Sequence, residues 1–248
     1  MAKDTSWNEV ANWYDKLLGG EDTFQSRVIL PNLMRLLAPQ PKEKVLDLAC
    51  GQGFFSAVLA ERDCAVTGVD LAAELIAAAK KRVPKAKFVC GTAADLSFLK
   101  DASQDVALCV LALQNIREAR QAIAETSRVL KPGGRFAIVL NHPCFRIPRA
   151  TSWGWDRDER QYRRVDAYLS ESHANIEMHP GQDASITTVS YHRPLQFWIK
   201  SLGREGFGVV AMEEWVSHRV SDSGPRAEEE NRARNEFPMF MCLIAKKL

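Results

Sequence analysis

The 248-residue chain has no uninterrupted apolar run of 18 residues, so no segment reads as a membrane-spanning helix. Residues 1–9 carry Lys3, Asp4 and Glu9 where a secretion signal needs an apolar stretch, and the expected location is the cytoplasm. The six cysteines, at 50, 64, 90, 109, 144 and 242, include no Cys-x-x-Cys pair, and they read as reduced core or pocket thiols. Net charge is nearly absent. With 33 basic against 31 acidic side chains the formal charge is +2, which supplies no broad field to attract nucleic acid or acidic lipid. No internal repeat is visible. His173, His179 and His218 have no carboxylate or cysteine at ligand spacing, so no metal site is expected.

What is present suits one globular α/β domain spanning residues 1–248. From residue 44 to 140, apolar runs of strand length alternate with helical patterns, the mark of a parallel sheet covered by helices. The spacing predicts strands over 44–48, 65–70, 87–90, 105–111 and 134–140. It predicts helices over 53–62, 72–83 and 116–130, with Pro84 and the Lys-Pro-Gly-Gly segment at 131–134 as stops. Residues 1–40 read as a helical cover, with helical spacing over 7–38 interrupted at Gly19-Gly20 and Pro31. Residues 141–193 mix aromatic and charged residues without long apolar runs and read as an inserted lid over the substrate. The last segment, 194–248, predicts a helix over 194–205 and strands over 208–216 and 238–246. The connection over 217–237 reads as a solvated loop or an exposed helix.

The most informative stretch is Val45-Leu-Asp47-Leu-Ala49-Cys-Gly51-Gln-Gly53, followed by Asp70 at the end of the second apolar run. It describes a strand, a tight glycine turn and a helix N-terminus, where a ligand can touch backbone. Two ligands compete for such a turn. A dinucleotide site wants a third glycine or alanine where this chain has Ser56, and the Asp47 carboxylate sits badly beside a pyrophosphate. A ligand carrying an ammonium and a sulfonium group avoids the charge conflict with Asp47.

At this point the chain resembles the class I S-adenosylmethionine-dependent methyltransferases. Residues 45–53 resemble the family's first motif and Val69-Asp70 its ribose-binding acid. Gly91-Thr-Ala-Ala-Asp95 resembles the adenine turn, residues 105–113 the fourth-strand motif, and residues 130–135 the segment before the fifth strand. The resemblance covers roughly residues 10–140. It implies a Rossmann-like, seven-stranded, mostly parallel sheet flanked by helices, with S-adenosylmethionine as methyl donor and S-adenosylhomocysteine as product.

The site residues implied follow the motifs. Asp70 is expected to accept from both ribose hydroxyls, and Leu71 to pack on the adenine. Ala49, Gly51 and Gly53 let the backbone pass beside the ribose and methionine portions. Asp47 either orients the methionine end or caps the turn. Ala93 or Ala94 offers an amide to adenine; where many relatives carry an acid this chain has Ala94, so Asp95 takes that role or caps a helix over 96–100. Carbonyls near Leu111 and Ala112 receive the ammonium group. Tyr14, in Trp13-Tyr14-Asp15, either closes over the cofactor or packs a helix.

The acceptor side is less determined. Gln114 and Asn115 end the fourth strand, where open α/β sheets bind ligands. His142, in Asn141-His142-Pro143, either serves as a general base or fixes the turn, and His192 is a second base candidate beside Tyr191. Phe145, Trp153, Trp155, Tyr162 and Tyr168 form either an apolar cage for the acceptor or the lid's own core. The expected activity is methyl transfer to oxygen, nitrogen or sulfur of a small molecule. The alternatives are RNA methylation on the same core, which the absence of an Asn/Asp-Pro-Pro-Tyr motif after the fourth strand disfavours, a nucleotide-binding dehydrogenase, and a non-catalytic S-adenosylmethionine binder. Sequence leaves the oligomeric state open.

Overall fold

The computed structural model describes Trp7 and residues 22–179 and 183–248. A wide π turn, Gln25–Ile29, runs directly into α1 (Leu30–Leu37). Pro31 does not interrupt this helix, contrary to the sequence expectation. It sits in the first turn of α1, where its missing N–H is not needed. The Gly19-Gly20 break and Tyr14 lie outside the described residues.

The core alternates as predicted: β1 (Lys44–Leu48), α2 (Phe54–Glu61), β2 (Ala65–Asp70), α3 (Ala73–Arg82), β3 (Lys87–Cys90) and β4 (Gln104–Val110). A short 3-10 turn, Leu113–Asn115, precedes α4 (Ala119–Val129), so this helix starts three residues later than its apolar spacing implied. Strand β5 (Leu130–Asn141) starts earlier than expected. Leu130 pairs with Gln104 and Arg135 with Val106, so the Lys-Pro-Gly-Gly segment bulges opposite Asp105. Residues 96–100 form turns rather than a helix.

Two hairpins follow, β6 (Thr151–Trp155) with β7 (Gln161–Val165), and β8 (Ser172–His179) with β9 (Asp183–His192). The chain then closes through α5 (Leu195–Arg204), β10 (Phe207–Trp215), α6 (Ala227–Glu236) and β11 (Phe240–Lys247).

The main sheet runs β10-β11-β5-β4-β1-β2-β3, with β11 antiparallel to both neighbours and the rest of the core pairs parallel. This is the Rossmann-like, seven-stranded, mostly parallel sheet. Alternating side chains split it into two faces. Leu46, Leu48, Ala107, Cys109, Phe136, Ile138 and Leu140 meet α4 and α5 through Ile123, Trp198 and Leu202. Val45, Val106, Leu108, Ala137 and Val139 meet α1 and α2 through Leu33, Leu37 and Leu59.

Because β1 to β5 are parallel, their carboxyl ends share one edge of the sheet. The strand order reverses between β1 and β4, which is where such sheets open a crevice.

Gly53 begins α2 at φ +79°, and a Cβ there would stand 3.2 Å from the Ala79 Cβ of α3. The space its hydrogen leaves is filled by Ala79 and Phe88, so helix packing requires this glycine. Gly53→Ala is expected to cost about 2 kcal/mol from the left-handed backbone and the crowding together, read as a lower urea midpoint.

Candidate functional site

The glycine turn is tied to Asp70 through backbone. Asp70 Oδ2 accepts the Gly51 N–H at 2.9 Å and Oδ1 accepts the Ala72 N–H at 2.9 Å, so one carboxylate clamps the loops after β1 and β2. Burial raises its pKa against the amide bonds that lower it. Each oxygen retains a further lone-pair direction. Beside it Leu71 is 40% exposed, an apolar side chain left in the open at the sheet edge. Gly51 is left-handed at φ +56°, as is Ala49 at φ +52°. For Ala49 this is a strained backbone, and Leu111 repeats it at the end of β4 with φ +53°. Strain at both carboxyl ends flanking the crevice marks a site whose loop shape matters.

Strand alternation turns Asp47 toward α2, and there it meets the residue that broke the dinucleotide pattern. Ser56 donates its hydroxyl to Asp47 Oδ2 at 2.6 Å. Asp47 is 2% exposed, and burial, opposed by that hydrogen bond and reinforced by the charge of Asp70, pushes its pKa up to about 7. Gln52, also buried, leaves its Nε2 without a partner among the described residues.

In the turn after β3, Asp95 Oδ1 accepts the Ser97 N–H at 3.0 Å and caps a turn, since no helix follows. That bond, with the Ser97 hydroxyl, lowers its pKa. Ala93 is buried, and the Ala94 N–H is held by the Thr92 hydroxyl at 3.2 Å. At the end of β4, the Leu111 carbonyl accepts Gln114 Nε2 at 2.8 Å and the Ala112 carbonyl accepts the Asn115 N–H at 2.8 Å.

On the other side of β4, a narrow cleft lies between the ends of β4 and β5 and the returning strand β9. Gln114, Asn141, Arg146, Tyr191, His192 and Arg193 line it. His192 is 4% exposed and donates Nε2–H to the Tyr168 carbonyl at 2.6 Å, which leaves Nδ1 as the acceptor nitrogen.

His142 is placed differently. Its Nδ1 accepts the Cys144 N–H at 3.2 Å, so Nε2 carries the proton, donated to Glu214 on β10 at 2.6 Å. Burial lowers its pKa although Glu214 pulls the other way. Both ring nitrogens are engaged in holding the turn after β5 to β10.

The lid aromatics gather around α6. Trp153 and Phe145 each meet Phe237 edge-on, at 5.4 and 5.6 Å, and Arg226 covers the Trp155 ring at 4.9 Å. Glu229 accepts the Gln161 N–H at 2.8 Å, which pins the β6–β7 hairpin to α6. Tyr168 accepts the Leu195 N–H on its hydroxyl at 3.1 Å. Phe145 also packs against His142 at 4.9 Å. Of the five aromatics read as a cage or the lid's own core, Trp153, Trp155 and Phe145 pack within the lid and against α6 and Phe237, and Tyr162 is 44% exposed; Tyr191, outside that group, lines the cleft.

Sequence reasoning did not find Glu214, Gln52, Arg146 or Arg193. Only Glu214 left a signal: Glu213-Glu214 puts consecutive acids on an alternating strand, so one must face each side.

Comparison with known proteins gives this edge its chemistry. A family described as methyltransferase domain matches residues 46–138. A methyltransferase of Synechocystis sp. is 39% identical over 158 residues, covering 61% of this chain and 72% of that protein. A demethylmenaquinone methyltransferase of Clavibacter sepedonicus is 37% identical over 203 residues, covering 77% and 80%. The crystal structure of an S-adenosylmethionine-dependent methyltransferase from Mesorhizobium loti superposes with a TM-score of 0.73 at 24% identity, over 91% of this chain and 99% of that one. The chain belongs to the class I S-adenosylmethionine-dependent methyltransferases. It is an enzyme, and S-adenosylmethionine is its methyl donor.

Proposed function

We propose that this methyltransferase transfers the methyl group to oxygen, nitrogen or sulfur of a small-molecule acceptor seated in the cleft between β4, β5 and β9. One observation carries the reading: three polar side chains that line the cleft are sunk, with Gln114 at 7%, His192 at 4% and Arg193 at 6% exposure. Only a small group can reach them. The formal charge of +2 supports the same choice over RNA, as do relatives named demethylmenaquinone methyltransferase.

The residues at the β1–β2 edge fit the cofactor. Asp70, half-buried with lone pairs to spare, would hold the ribose hydroxyls, and Leu71 would cover one adenine face. Ala93, Ala94 and Asp95 line the turn assigned to the base. Ala49, Gly51, Asp47 and Leu111 surround the methionine end, where the orphaned Gln52 amide supplies a donor for a carboxylate. When bound, the cofactor supplies an electrophilic methyl on a cationic sulfur.

The protein's part is alignment and exclusion of water, which suffices for an amine or thiolate nucleophile. For a hydroxyl, His192 Nδ1 is the candidate to take the proton, while His142 holds the turn after β5 through Glu214 and the Cys144 N–H. We assign the four segments, 1–40, 41–140, 141–193 and 194–248, to one catalytic domain in which the third roofs the acceptor.

His192→Ala is expected to lower kcat at least tenfold with a hydroxyl acceptor, with S-adenosylmethionine affinity unchanged. His142→Ala is expected instead to cost about 2 kcal/mol of stability, since a buried ring and its bonds are lost, with turnover per folded molecule nearly kept. The function itself is tested by incubating the enzyme with methyl-labelled S-adenosylmethionine and a cell extract. Label is expected in the low-molecular-mass, nuclease-resistant fraction; recovery only in RNA would overturn the reading.

A further inference from the structure

The cleft is cationic and, among the described residues, has no acid to balance it. Arg193 lies at its wall, 94% buried by its 6% exposure. Its Nη2 donates to the carbonyls of Ile116 and Arg117, at 3.0 and 2.9 Å, while its Nη1 is buried with no partner among the described residues. The rings of Tyr191, Phe197 and Trp198 lie 4.9, 5.1 and 5.7 Å from its guanidinium carbon, which holds the group in place without satisfying that nitrogen.

Arg146 lines the same cleft, and its Nε is likewise buried and unpartnered. Burial, with the nearby charge of Arg163, brings its pKa down to about 10. Neither Arg146 nor Arg193 has a carboxylate within ion-pair distance among the described residues; Glu171 and Glu118 act on Arg193 from farther away. Among the described residues, no Asp or Glu lines the cleft. Buried guanidinium groups are ordinarily paired, because an unpaired buried charge is unfavourable and a planar fork of N–H donors matches a carboxylate. Gln114 adds a complementary feature: with Nε2 spent on Leu111, its Oε1 is a buried acceptor without a donor.

We propose that Arg146 and Arg193 bind a carboxylate of the acceptor, and that Gln114 Oε1 receives an N–H or O–H of the same molecule. The acceptor class is therefore a small carboxylic acid bearing an amine or hydroxyl. This rests on the small-molecule reading given above and adds the chemistry of recognition. It separates two roles for Arg193, which as a mere aromatic staple would be indifferent to anions.

The test uses the full chain saturated with S-adenosylhomocysteine, whose binding is first confirmed by calorimetry. Acetate and 4-hydroxybenzoate are then titrated at constant ionic strength set by chloride, beside acetamide and 4-hydroxybenzamide. The acids are expected to bind saturably, at least tenfold tighter than their amides, and to lose at least tenfold in Arg193→Gln and in Arg146→Gln. Arg146 is only half-buried, so its variant reports even where Arg193→Gln folds poorly. Equal binding of acid and amide, no binding of either acid, or unchanged acid binding in Arg146→Gln would overturn the inference. If S-adenosylhomocysteine itself fails to bind, the cofactor assignment falls, a separate outcome seen before any acid is added.

Discussion

Asp70→Ala is expected to weaken S-adenosylmethionine binding roughly ten- to hundredfold, about 1 to 3 kcal/mol, through loss of charge-assisted hydrogen bonds to the ribose. The residue carries two loads. It also holds the Gly51 and Ala72 amides, so its removal loosens the turn that the ligand approaches. Asp70→Asn keeps one acceptor oxygen but turns an NH2 donor toward the other backbone N–H, so it is expected to lose less affinity and less thermal stability than alanine while keeping only one half of the clamp. Calorimetry on both variants separates the loads: ligand contact predicts an affinity loss in asparagine beyond any loss of stability, and a purely structural clamp predicts the two in proportion.

Asp47→Asn is expected to stabilise the ligand-free protein, more at alkaline than at acidic pH. The carboxyl has a pKa of about 7 in the fold against 3.8 as its ordinary value, so between roughly pH 4 and 7 the native state binds the extra proton. Stability therefore falls as pH rises through that window, by on the order of 4 kcal/mol in total, and asparagine removes the loss. The gain is expected to be about 1 to 2 kcal/mol at pH 5 and about 4 at pH 8, read from urea midpoints. A pH-independent gain would contradict the burial of a titrating carboxyl. The same variant is expected to bind S-adenosylmethionine less tightly above pH 7, because an ionised Asp47 favours a cationic ligand. An unfavourable buried charge retained beside a ligand turn is the pattern of a group kept for binding rather than for folding.

Much of the core was legible because local signals agreed. The strand predictions at 44–48, 65–70 and 87–90 match β1, β2 and β3 to the residue, since each is a short apolar run cut off by glycine, proline or a carboxylate. Pro31 misled because proline breaks helices only beyond the first turn. The lid hairpins escaped notice for a different reason. In β7, Gln-Tyr-Arg-Arg-Val buries no residue and its sequence shows no clean polar–apolar alternation, so its partner choice comes from Trp153, Phe237 and α6.

In the site, Asp47, Gly51 and Asp70 could be named because the turn chemistry is local. Ser56 was read only as a missing glycine, whereas the fold makes it the hydroxyl that holds Asp47. Arg146 and Arg193 matter through what they lack, and an absent partner is a property of the folded neighbourhood. His142 and His192 looked alike in sequence. What divides them is Glu214, 72 residues from His142, and the Tyr168 carbonyl.

A crystal structure with S-adenosylhomocysteine bound tests the central claim most directly. The account predicts ribose hydroxyls on the Asp70 carboxylate, adenine against Leu71, and the sulfur turned toward the cleft of Gln114, His192 and Arg193. Density for the nucleoside elsewhere, or a sulfur facing away from that cleft, would contradict it.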